Sequence, residues 1–218
     1  MTYEEIKEVQ RTTDINFSPY YDVLPSLINE RDYKIGCEIG VFAGGMSKSI
    51  LDKTKLELMI GIDPYLEYKP NQIGMGTIST QGEFDIMCKL AMDRLDPLRF
   101  LHIRKTSDDA FCYMQSEIIM HQHYNSFYNK TKNITDEINM KLPFLDFVFF
   151  DGLHEAEQLK KDIENYVPLI KNGGIIAFHD YNHPTFPELS PVIDDFAMKQ
   201  GQQLVICPLH LVYIEKNW

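Results

Sequence analysis

Four apolar runs constrain this chain more than anything else in it: KIGCEI (34–39), ELMIGI (57–62), LDFVFF (145–150) and IIAF (175–178). They are short and nearly continuous, without the alternation of a strand that wets one face. Stretches with helical spacing follow the first three. Strands buried on both faces read this way, because the crossover helices of a parallel sheet cover each side. RFLHI (99–103) adds a further run, and LVIC (204–207) with LVYIE (211–215) reads as an antiparallel pair turning through Pro208. In such α/β sheets ligands bind beyond the carboxyl ends of the strands. Glu38 with Gly40, Asp63, Asp151 and Asp180 all fall at strand ends, so the order predicts one acidic rim.

At 218 residues the chain is most simply read as one domain with a substantial core. A net charge of −11, from 32 acidic and 21 basic residues, argues against a nucleic-acid partner, which needs clustered Lys and Arg. The opening MTYEEIKEVQ lacks the apolar stretch of a signal peptide, and no run approaches the roughly 18 apolar residues of a membrane span. Cys37, Cys88, Cys112 and Cys207 have no CxxC spacing and read as reduced thiols. The expectation is a cytoplasmic protein with no membrane partner, and the N-terminal helices suggest a homo-oligomer.

Residues 1–33 read as two short helical pieces, an extension or lid, with Ser18-Pro19 starting the second. Residues 34–218 form the main domain, with the polar, Tyr- and Asn-rich segment 121–141 as an insertion. Helices are expected near Met46–Lys53, Glu83–Leu95, from Ser107 to about Met120, and near Leu189–Gln200. After Asp151, apolar residues at Ala156, Leu159, Ile163, Val167 and Ile170 make a helical stripe, and Lys171-Asn172-Gly173-Gly174 reads as its C-cap.

CEIGVFAGG puts Glu38, Gly40, Gly44 and Gly45 at the first strand-to-helix turn, where glycine lets backbone approach a ligand and the helix start offers free N–H groups. The spacing lacks the third glycine of a G-x-G-x-x-G dinucleotide fingerprint. Asp63, ending the second strand, suits the ribose hydroxyls of a nucleoside. Ser107 and Asp108 read equally as helix caps. Asp151 and Asp180 end strands that should be neighbours, so their carboxylates would converge on a hard cation or on substrate. His154, three residues past Asp151, is a histidine, the side-chain type best suited to taking a hydroxyl proton near neutrality. His179 and His183 are rivals. Phe17, Tyr20, Tyr21, Tyr65 and Tyr68 would wall a pocket or simply pack.

EIGVFAGG, GIDPY, RKTSDDA, FFDGLHEAEQLKKDI and LIKNGGIIAFHDY, in that order over roughly residues 34–185, resemble the class I S-adenosylmethionine-dependent methyltransferases. The branch they resemble contains small O-methyltransferases of sugar and antibiotic pathways. The resemblance implies a Rossmann-like, mostly parallel seven-stranded sheet with helices on both faces and its last strand antiparallel. It implies S-adenosyl-L-methionine as cofactor, with Glu38 and Gly40 along the methionine part, Gly44 also in the cofactor site, Asp63 on the ribose, and Ser107 towards adenine. Asp151 borders that site, and with Asp180 and its neighbour His179 would ligate a divalent cation, Mg²⁺ or Mn²⁺. His154 would be the general base and a small hydroxylated acceptor, such as a sugar or glycoside, the partner. The branch also contains hydroxylases, which leaves a chemistry other than methylation open. An NAD-dependent oxidoreductase and an inactive methyltransferase-like binding protein are the competing readings.

Overall fold

The computed structural model describes residues 1–16, 19–67, 80–115 and 142–218. Among them is one seven-stranded sheet: β1 (Ile35–Ile39), β2 (Leu58–Ile62), β3 (Phe100–Ile103), β4 (Leu145–Phe150), β5 (Ile170–Phe178), β6 (Val205–Ile206) and β7 (Val212–Glu215), in the order β3-β2-β1-β4-β5-β7-β6. Pairing is parallel from β3 through β5, while β7 runs antiparallel to both β5 and β6. The expected mixed α/β fold is therefore present. All six β4 residues are buried, as a strand at the middle of a two-sided sheet requires; five are apolar, and the sixth, Asp146, accepts from the N–H groups of Lys34 and Ile35.

The order reverses at β1 and β4, whose strands lead off to opposite sides. The carboxyl ends of these two strands carry the crevice of a doubly wound sheet. Helices α3 (Gly45–Lys53) and α4 (Gln81–Arg94) belong to the core on one face, with Ile50, Leu51, Phe84 and Met87 buried. On the other face lie α5 (Ser107–Gln115), α6 (Ala156–Tyr166) and α7 (Leu189–Lys199), burying Ala110, Leu159, Ile163 and Ile193. Thr80 and Glu83 form a capping box at the start of α4, which sets that helix two residues earlier than periodicity suggests.

The N-terminal segment is part of the first of these cores. In α1 (Tyr3–Asn16), Ile6 is buried, and Tyr3 Oη donates to Asp93 of α4 at 2.9 Å. A 3₁₀ turn (Tyr20–Asp22) then leads into α2 (Val23–Arg31), which buries Leu24 and Ile28 beside Ile50 and Leu51 of α3.

The C-cap expected at Lys171–Gly174 is a correction. The α6 helix ends at Tyr166, a 3₁₀ turn spans Val167–Leu169, and the Lys-Asn-Gly-Gly residues lie inside β5. Pro168 cannot donate a helical hydrogen bond, so the helix closes before the glycines are reached. Gly173, at φ +79, donates its N–H to Lys216 O at 2.7 Å, and the β4–β5 register shifts between Leu145 and Phe147. The glycine pair serves a strand irregularity, not a helix end. The expected insertion at 121–141 lies outside the described residues, as do Phe17, Ser18 and Tyr68. No described helix is long and apolar enough to cross a membrane.

Candidate active site

The loop from β1 to α3 holds the first group. Gly40 sits at φ +92, and its N–H donates to Ile62 O at 2.9 Å. Gly44, at φ +74, precedes α3 as an N-cap without a side-chain hydrogen bond, so the first N–H groups of that helix have no capping side chain. Glu38 is 2% exposed, and its Oε2 accepts from the Ser47 hydroxyl. Burial pushes the Glu38 carboxyl well above its usual range; the Ser47 hydroxyl opposes this and the nearby Asp151 adds to it.

Asp63 binds its own loop. Its Oδ2 accepts from the N–H groups of Val41 (3.0 Å) and Phe42 (2.9 Å), and its Oδ1 from Tyr65 N–H (2.8 Å). Burial raises its pKa, and the three N–H groups draw it back down. A carboxylate has about four lone-pair sites, so roughly one is left for a ligand hydroxyl. The Tyr65 hydroxyl donates to Phe42 O at 2.6 Å, and His102 of β3 lies at 3.4 Å from Asp63 O. Tyr65 thus braces the loop instead of walling a pocket.

The second group gathers at the ends of β4 and β5. Asp151 follows β4, with its N–H on Ile39 O at 2.8 Å; His179 follows β5, with its N–H on Phe150 O at 3.0 Å. Asp180 then takes the left-handed conformation at φ 59, which Asp tolerates better than most residues. These turns bring one ligand atom each of Asp151, His154 and Asp180 within 4.8 Å of one another. His154 Nε2 lies 2.9 Å from Asp180 Oδ2. His179 Nδ1 bridges the two acids, 3.0 Å from Asp151 Oδ1 and 3.4 Å from Asp180 Oδ1. Burial works against a charged His179, yet Asp151 and Asp180 raise its pKa to about 10. Asp180, despite burial, is held below the usual carboxylate range by His154 and His179.

Asp151, His154 and Asp180 fit a divalent cation by their donors, two carboxylates and an imidazole, with ligand atoms within 4.8 Å of one another; His179, held charged between the two acids, would have to lose its Nδ1 proton to join them. His154 Nδ1 and His179 Nε2 are buried without a hydrogen-bond partner among the described residues. The β1–α3 loop fits a nucleoside-bearing cationic cofactor by a different set: the buried Glu38 acid, the uncapped start of α3, and the acceptor capacity left on Asp63.

Ser107 is not the helix cap. The cap is Thr106, whose Oγ1 accepts from Asp109 N–H at 3.2 Å; Ser107 is the first residue of α5, and its hydroxyl accepts from Gln158 at 3.1 Å. The His183 ring packs against Phe186 and His210, while its backbone N–H donates to Asp180 O at 3.1 Å. Three further residues border the site region, of which only Tyr20 was named from the sequence, as one of five aromatic pocket-wall candidates. Phe186 stacks on His154, ring centroids 4.1 Å apart at 12°. Asp162, 4% exposed, lines the same small cleft as Asp151, His154, His179 and Asp180. Tyr20 donates to Asp151 Oδ2 at 3.3 Å. Asp162 had a signal, since its spacing from Leu159 puts it on the buried helix stripe; Phe186 had none.

A family model described as a methyltransferase domain matches residues 37–181. Uncharacterized protein R132 of Acanthamoeba polyphaga mimivirus is 22% identical over 181 residues, covering 82% of this chain and 66% of that protein. Among solved structures, MycE, a methyltransferase from the mycinamycin biosynthetic pathway in complex with Mg and SAH, aligns at TM-score 0.52 and 18% identity, over 92% of this chain and 49% of that one. A putative caffeoyl-CoA O-methyltransferase from Staphylococcus aureus aligns at 0.54 and 13%, over 99% and 92%. TomG from Streptomyces achromogenes, an O-methyltransferase in complex with SAM, aligns at 0.52 and 13%, over 91% and 80%. The chain thus spans about half of MycE and just under two thirds of the viral relative. With the β3-β2-β1-β4-β5-β7-β6 sheet and the match across most of its length, the chain belongs to the class I S-adenosylmethionine-dependent methyltransferase family.

Proposed function

We propose that the protein methylates a hydroxyl of a small polar acceptor, a sugar or glycoside being the favoured class, with S-adenosylmethionine as donor. The observation that carries this reading is the convergence of Asp151, His154 and Asp180 beside the Gly40 loop. Bound S-adenosylmethionine would supply a methyl group on a positive sulfonium, a good leaving group. The acceptor oxygen forms the new O–CH₃ bond as the S–CH₃ bond breaks, giving a methyl ether and S-adenosylhomocysteine.

Glu38, Gly40 and Gly44 would hold the methionine part, Asp63 the ribose and Ser107 the adenine side. A divalent cation, Mg²⁺ or Mn²⁺, held by Asp151, Asp180 and His179, would lower the pKa of the acceptor hydroxyl and orient it. His154 takes the hydroxyl proton. With Nε2 turned to Asp180, Nδ1, buried and without a partner among the described residues, is the nitrogen left to receive it, the acid fixing tautomer and ring as in other Asp–His pairs.

The test is methyl transfer from labelled S-adenosylmethionine to a panel of hydroxylated sugars and glycosides, with and without Mg²⁺ or Mn²⁺. Label appearing in an ether product, and lost in His154→Ala, is expected. Cofactor binding with no transfer to any hydroxyl would favour the inactive binding protein.

A further inference from the structure

Tyr20 is the link between the N-terminal segment and the acid–histidine cluster. It is 3% exposed, lies 131 positions from Asp151 in sequence, and donates its hydroxyl to Asp151 Oδ2 at 3.3 Å. Asp151 uses its other oxygen, Oδ1, to face His179 Nδ1 at 3.0 Å. The Tyr20 ring packs on that same imidazole, centroids 4.7 Å apart at 43°, and against Phe149 of β4 at 6.2 Å. One side chain therefore touches two of the three groups assigned to the cation.

The 3₁₀ turn that carries Tyr20 is anchored independently of the cluster. Ser49 of α3 donates to Tyr21 O at 2.6 Å, Lys53 pairs with Asp22, and Tyr20, Leu24 and Ile28 share a core with Ile50 and Leu51. A phenol held this firmly restricts rotation of the carboxylate it touches. Ligating side chains that are oriented by hydrogen bonds from outside bind metal more tightly, because less order must be imposed on binding.

We propose that Tyr20 is a positioning residue for the divalent cation, holding the Asp151 carboxylate and the His179 ring in ligating orientation. The N-terminal segment is then a working wall of the site. This proposal rests on the cation reading given above.

The test is calorimetric titration of Mn²⁺ into metal-stripped wild-type protein, Tyr20→Phe and Tyr3→Phe, alongside S-adenosylhomocysteine titrations and thermal midpoints. The Tyr3→Phe variant removes a tyrosine–carboxylate bond remote from the site. Expected is a loss of about 10–100-fold in Mn²⁺ affinity for Tyr20→Phe alone, with its cofactor affinity and thermal midpoint close to wild type. Equal Mn²⁺ affinity in Tyr20→Phe and wild type overturns the role of Tyr20 and leaves the cation reading standing. A parallel fall in midpoint, cofactor affinity and Mn²⁺ affinity also overturns it, by making Tyr20 a structural residue. Absence of Mn²⁺ binding by the wild type overturns the cation reading, and this proposal with it.

Discussion

The carbonyl oxygen of Asp151 lies 1.9 Å from the point where a Cβ on Gly40 would stand. The glycine of the β1–α3 loop and the acid that ends β4 are thus packed backbone to backbone. Gly40 is required for this approach as well as for its φ of +92.

Gly40→Ala should therefore be severe. The new methyl group has only backbone to displace, and it forces a left-handed alanine. Together these cost about 3 kcal/mol. Chemical unfolding should show that loss, and calorimetry should show impaired S-adenosylhomocysteine binding; wild-type stability would mean that the β1 and β4 ends are not in contact.

Asp63→Ala removes the acceptor for three backbone N–H groups, so the substitution acts on the loop before it acts on the cofactor. Unfolding experiments should register roughly 2–4 kcal/mol, since each unpaired buried group costs about 1–3 kcal/mol and water rescues part. Cofactor affinity should fall by at least as much as loss of one charged hydrogen bond, about 1.5–3 kcal/mol. Unchanged affinity in a folded variant would remove Asp63 from the ribose site.

His154→Ala should spare cofactor binding and lower turnover by about 10²–10⁴-fold, the usual contribution of a positioned base. Turnover at the wild-type level, measured with any acceptor the panel yields, would move the base to His179 or His183.

Asp162 gives a pH prediction. Burial raises its pKa from an ordinary 3.8 to about 6, against hydrogen bonds from Ser107 and Gln158 that lower it. Between those values the folded protein holds a proton that the unfolded chain releases, so stability falls as pH rises from about 4 to about 6 and stays lowered above. Asp162→Asn carries no such cost. Its advantage over wild type should be small at pH 4, grow across that window, and level off at roughly 2–3 kcal/mol. A pH-independent difference in thermal midpoint would contradict this.

The sheet was legible because its strands are buried on both faces, which leaves continuous apolar runs, and because acids stand at their carboxyl ends. The same reasoning predicted that Asp151 and Asp180 converge, since neighbouring strands must bring their ends together, and the structure gathers His154 and His179 with them. That reasoning failed at Lys171–Gly174 because a Gly-Gly pair suits either a helix end or a strand irregularity, and Pro168 decides between them. Tyr20 was visible only as one of five aromatic candidates. Its contact spans 131 positions and depends on how the N-terminal turn docks on α3, which no local spacing encodes. Phe186 was hidden for the same reason: the stacking on His154 is made by a loop that carries no periodic pattern.

Everything proposed for this protein requires that the β1–α3 loop bind S-adenosylmethionine. The most direct measurement is a calorimetric titration of the purified protein with S-adenosylhomocysteine. Stoichiometric binding at about micromolar affinity, weakened in Asp63→Ala, is the predicted result. A flat titration with folded wild-type protein, with and without Mg²⁺ or Mn²⁺, would contradict it.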